Sequence, residues 1–148
     1  MLLQIAIGSG LLLVNIILAA VTAMMMEVVF ARTHGWFLEE PHRPKLVVLV
    51  IGVSIWVLGM ITAGTWIWAL AYRALHVFPS MHEAVYFSLV AYTTLGLGDV
   101  LPSPEWRLLA GMEAANGFLN FGLLTALLIE TLRLVRIKQV RHKRKTRG

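Results

Sequence analysis

The sequence predicts an all-α membrane protein with three transmembrane helices and a re-entrant half-helix between the second and the third. Three observations carry this. Of 148 residues, 58% are hydrophobic and only 14% charged, more apolar than an ordinary soluble domain. The apolar residues gather into three runs that reach the roughly 20 residues a bilayer crossing needs. Between the second and third runs, about a dozen residues, too few to span at ~1.5 Å each, lead into Thr93-Thr94-Leu95-Gly96-Leu97-Gly98-Asp99. A polar, glycine-interrupted stretch is tolerated at membrane depth only where protein buries it or it lines a water-filled path.

Composition narrows the function classes. There are no cysteines, which removes disulfides, thiol catalysis and Cys-based metal sites. The chain is too short for a transporter built from inverted repeats, and no internal repeat is visible. Any pathway through it therefore needs several copies. No His/Asp/Ser or metal-binding constellation converges, so no enzyme and no cofactor are expected. The net charge of +5 is uneven, with eight of the thirteen Lys and Arg in the last sixteen residues.

The first run, residues 1–30, reads as a retained transmembrane helix interrupted by Gln4 and Asn15. It lacks the positive leader and small-residue cleavage site of a signal peptide. Residues 31–45 read as a loop, because Pro41 and Pro44 stand among mixed charges. Residues 46–72 form the second span. Trp66, Trp68 and Tyr72 near its end fit an interfacial aromatic belt, and Gly52, Gly59 and Gly64 are positions where a neighbouring helix could approach closely.

Ser80 is a predicted N-cap, with Glu83 three residues on completing a capping box, for a short helix over 81–93. The stretch 94–99 follows, then a turn through Pro102-Ser103-Pro104, then the third span over 106–130. In that span Glu113, Asn116 and Asn120 stand at offsets of three and seven, so they share one face. Residues 131–148 form a basic tail. Positive charge favours the cytoplasm, which puts the C-terminus and the 31–45 loop inside, and the N-terminus and Asp99 outside.

Thr94-Leu95-Gly96-Leu97-Gly98-Asp99 closely resembles the selectivity filter of potassium channels, a TVGYG loop. Thr93 fits the doubled threonine that often precedes that filter. Tyr86-Phe87-Ser88 matches an aromatic pore helix, and Trp106 falls near the start of an inner helix with Gly117 and Phe121-Gly122-Leu123-Leu124-Thr125-Ala126. The resemblance covers residues 46–130: outer helix 46–72, pore helix 81–93, filter 94–99 and inner helix 106–130. It implies the two-helix-plus-pore-loop family of bacterial type, here with an extra N-terminal helix, as a homotetramer in the bacterial inner membrane.

On that resemblance, backbone carbonyls of Thr94, Leu95, Gly96 and Leu97 from four chains replace the water around K⁺, the permeant ion. Consecutive carbonyls can face one axis only if left-handed torsions alternate along the chain, and Gly96 and Gly98 adopt these at little cost. Thr93, Asp99, Glu113, Asn116 and Asn120 would support the filter, with Glu113 behind it as a buttress. Phe118, Phe121, Thr125 and Ile129 would line the cavity below. Gly117 and Gly122 are candidate hinges, or plain packing positions. The family pattern is departed from twice: Leu97 stands where tyrosine is usual, and Val90 where many bacterial relatives carry a glutamate that pairs with the filter aspartate.

The expected activity is passive K⁺ flux without a voltage sensor, since neither of the first two spans carries periodic positive charge. A weakly selective monovalent cation channel is the alternative that Leu97 raises, and a small helical assembly partner is a third reading. The basic tail is a topology determinant or a contact for anionic lipid. Nucleic acid is not an expected partner.

Overall fold

The computed structural model describes the backbone of residues 1–38 and 42–145, and the side chains of 1–29, 47–130 and a few flanking positions. Its elements are four α-helices: α1 (Leu2–Leu38), α2 (His42–Ala74), α3 (Met81–Tyr92) and α4 (Arg107–Lys145). A single 3-10 turn, Pro104–Trp106, precedes α4. Leu2–Val29, Val47–Ala74 and Pro104–Glu130 are long and apolar enough to cross a membrane. The protein is therefore a multi-pass, all-α membrane protein.

Two boundaries differ from those expected. The 31–45 segment is helical through Leu38 and again from His42, where a loop was expected. No proline or glycine pair interrupts the chain before Pro41. Pro44 falls in the first turn of α2, where its missing N–H costs no helical hydrogen bond. The basic segment is likewise not a separate tail in the described residues. It continues α4 without a break to Lys145, since no helix breaker stands between Glu130 and Lys145.

Contacts fix the direction of each span. Gln4 donates its side-chain amide to the Glu105 carbonyl. Gly8 lies against Leu109 and Met112, and Ala19 clusters with Met60 and Leu124. Residue numbers therefore rise together along α1 and α4, which run parallel, while α2 runs antiparallel to both. The N-terminus lies at the same end of the bundle as the segment joining α3 to α4.

α3 begins at that end, capped by Ser80, whose hydroxyl accepts from the Glu83 N–H at 3.1 Å. It packs between α2 and α4 and stops at the level of Gly117. Behind it lies the largest buried cluster: Trp68, Ala69, Tyr72, Phe78, Ala84, Phe87, Tyr92 and Leu109. The rings of Tyr72, Phe78 and Phe87 meet at 5.0 to 5.6 Å, within the range of favourable aromatic pairs. The aromatic belt expected at Trp68 and Tyr72 is thus not one. Both are fully buried, because α3 gives them an apolar and aromatic surface to pack on, while Trp66 remains 45% exposed.

Candidate functional site

The last turn of α3 is wound directly into the glycine-bearing segment. The Thr93 N–H donates to Leu89 O, Thr94 N–H to Ala91 O, and Leu95 and Gly96 N–H both to Val90 O, at 2.9 to 3.3 Å. The Thr93 hydroxyl also returns to Leu89 O at 2.7 Å. The carbonyls that a helix C-terminus leaves unpaired are here used to hold the start of the next segment.

From there the backbone alternates. Thr94, Gly96 and Gly98 have φ of 59°, 62° and 78°. Leu95 and Leu97 between them are not among the positive-φ residues. Left-handed torsions were expected at the two glycines only, and Thr94 extends the alternation by one step. For a β-branched residue this conformation is costly, so the local hydrogen bonds must hold it. Thr93 to Asp99 are all exposed in the single chain. Leu95 and Leu97 are 63% and 58% exposed.

Asp99 closes the segment. The Tyr86 hydroxyl donates to its carboxylate at 2.5 Å, holding the Asp99 carboxyl below the usual carboxylate range. The same bond shifts the Tyr86 hydroxyl upward. Glu113, expected as a buttress behind the segment, lies beside α3. It does not reach Asp99. Its carboxylate accepts from the Tyr72 hydroxyl on α2 at 2.8 Å, with Ser88 of α3 beside it. Tyr86 lies one helical turn from Val90 on the same face of α3, and that spacing was the available signal.

Leu109, Glu113, Asn116 and Asn120 form a wholly or nearly buried stripe on α4, at the spacing of one helix face. Asn120 donates to the Tyr92 hydroxyl at 2.8 Å and to Asn116 Oδ1 at 3.1 Å. Asn120 thus makes a direct side-chain bond from α4 to the short helix. Asn116 acts by bonding Asn120.

Tyr92 is a residue that sequence reasoning missed. A side chain on Gly64 would overlap its ring, and one on Gly117 would overlap its carbonyl. Of the two candidate hinges, Gly117 is thus a close-approach position, while nothing lies within 4 Å of Gly122. Gly52 and Gly59 likewise have open space in the single chain.

Below the segment is a groove of about 220 Å³ lined by Ile61, Tyr92, Thr93, Thr94, Phe118 and Phe121, among others. Phe118 and Phe121, two of the four predicted lining residues, belong to it. Thr125 and Ile129 lie exposed further along α4. The α3 C-terminus ends at this groove and presents the negative end of its dipole there.

No curated protein and no solved structure matches the chain. A family model described as an ion channel matches residues 46–133. Those 88 of the 148 residues hold α2, α3, the alternating segment and the membrane part of α4, every element that the polar stripe ties together. By that match the chain belongs to the ion channel family.

Proposed function

We propose that four copies of this chain form a potassium channel, with α3 as pore helix, Thr94 to Gly98 as selectivity filter and α4 as inner helix. The observation that carries this reading is the alternation of left-handed torsions at Thr94, Gly96 and Gly98. It is the backbone geometry that lets successive carbonyls face one axis, and it sits on a segment left exposed by its own chain. Carbonyl rings of Thr94, Leu95, Gly96 and Leu97 replace the hydration shell of K⁺. The pore-helix dipole adds a negative potential where the ion enters the filter from the groove.

What one chain leaves uncovered supports the tetramer. The filter leucines, 63% and 58% exposed, are met by neighbours once four copies surround an axis, while Phe118, Phe121 and Ile129, at least 60% exposed, line the cavity those copies enclose. The C-terminal end of α4 lies in the cytoplasm, where its Lys and Arg residues contact anionic lipid headgroups.

Leu97 supports a second reading, a weakly selective cation channel, because it lacks the hydroxyl that would tie the filter to the pore helix. Against this, Tyr86 makes a tie from the helix side through Asp99. Reversal potentials in mixed K⁺ and Na⁺ separate the two readings.

The test is flux from reconstituted full-length protein. Potassium-loaded liposomes should release K⁺ and be blocked by barium. Gly96→Ala should abolish flux, since alanine is strained at a φ of 62°. A well-folded assembly that passes no ion, or flux indifferent to Gly96→Ala, would sink the channel reading.

A further inference from the structure

We infer that Tyr92, clamped between α2 and α4, is a specificity-determining positioning residue through which the inner helix sets the geometry of the filter. This rests on the channel reading above. The clamp has three independent contacts. On one side, Gly64 of α2 admits the Tyr92 ring where any side chain would overlap it. On the other, Gly117 of α4 lies so close to the Tyr92 carbonyl that a methyl group there would overlap backbone atoms. A glycine Cα–H against a carbonyl is a recurring helix-contact geometry. One turn further on, Asn120 donates to the Tyr92 hydroxyl at 2.8 Å, and Asn116 holds the Asn120 amide at 3.1 Å.

The route from this clamp to the filter is short and made of backbone. Tyr92 is the last residue of α3. The carbonyls of its own turn, Leu89, Val90 and Ala91, hold the amides of Thr93 to Gly96. A rotation or shift of α4 at Gly117 therefore moves the Tyr92 carbonyl directly. It reaches the Leu95 and Gly96 rings through hydrogen bonds, with no flexible side chain to absorb it. Contacts between two backbones yield little, since the packed interior is dense. Gly117 is closed as a hinge for the same reason. Of the two glycines, Gly122, with open space around it, is where α4 can bend while leaving Tyr92 in place.

A residue that only stabilises the fold would alter melting temperature and leave ion preference unchanged. The readout is therefore the K⁺/Na⁺ permeability ratio, measured by reversal potential on reconstituted full-length protein, for Tyr92→Phe, Asn120→Leu and the double variant. Tyr92→Phe removes one hydroxyl and keeps the ring between the glycines. Each single change should lower the ratio about fivefold, the scale one hydrogen bond commands. The double variant should fall no further than either single, because both remove the same contact. A conducting wild type with an unchanged ratio in Tyr92→Phe overturns the clamp alone, as do effects that multiply in the double variant. If Tyr92→Phe fails to assemble, Asn120→Ala, which trims the contact from the other partner, replaces it with the same two outcomes. A wild type that passes no ion overturns the channel reading and the clamp with it.

Discussion

At the end of the bundle that carries the filter segment, one chain nearly completes its own packing. Trp68, Ala69, Tyr72, Ala84 and Leu109 are wholly buried there, together with Ser88, Glu113 and Asn116. Toward the opposite end of α2, among the described residues, only Leu49 and Val53 are buried, while Val47, Val48, Ile51, Ile55 and Leu58 are each more than half exposed. Apolar composition does not explain the difference, since residues 46–58 are more apolar than residues 62–74. What separates them is α3, which wedges between α2 and α4 and gives both something to pack on. Polar side chains are concentrated in the well-packed region. Hydrogen bonds between helices are a main adhesive where lipid is as apolar as the side chains it would replace. The mount of the glycine-bearing segment is thus packed within the chain itself, whereas the lower spans leave large apolar side chains uncovered.

Substitutions can break this contrast. The largest effect is expected at Gly117. Gly117→Ala should prevent α3 from seating and abolish the assembled species on size-exclusion chromatography in detergent, while Gly122→Ala, with nothing near it, should leave the elution profile unchanged. Equal behaviour of the two would show that the close approach at Tyr92 is not required.

A smaller effect separates the two packing regions. Phe87→Ala, behind the filter, should cost about 3 kcal/mol of stability, from a cavity that rigid neighbours cannot refill. Leu49→Ala should cost less than about 2 kcal/mol, because acyl chains can fill the space it leaves. Thermal unfolding of the purified protein measures both, and an equal loss would erase the distinction between the ends.

The smallest effect lies at the exposed rim. Tyr86→Phe removes the bond that favours ionised Asp99, so the Asp99 carboxyl should return toward its ordinary range. The tie contributes above that range and is lost as pH falls through the lowered folded value. Acid block of current from the filter side should therefore begin at higher pH in Tyr86→Phe than in the wild type. An unchanged acid profile would mean that Tyr86 does not set the charge state of Asp99.

Much of the architecture was legible from residues alone. Run lengths located three spans, Ser80 and the short run after it located α3, and spacing put Glu113, Asn116 and Asn120 on one face. Where helices end was harder to read. Charge and proline marked 31–45 as a loop, and charge ended the third span at 130, yet lysine, arginine and glutamate are good helix formers, and Pro44 sits where a first turn tolerates it. Partners were hardest. Spacing along α4 put Glu113 on the face shared with Asn116 and Asn120, but it could not show the bond from Tyr72 of α2. Asp99 was satisfied by a tyrosine read only as an aromatic in a helix.

Residues alone settled the class of molecule and the position of the glycine-bearing turn, since both rest on local quantities: hydropathy over some twenty residues, and two glycines with the torsions only they adopt freely. Tertiary structure decided the rest. Which polar groups pair, and which glycine is an approach and which is free, depend on the distance between helices far apart in the chain. No spacing along one helix encodes that distance. It is set by the volumes of facing side chains, and at Gly117 by the absence of one.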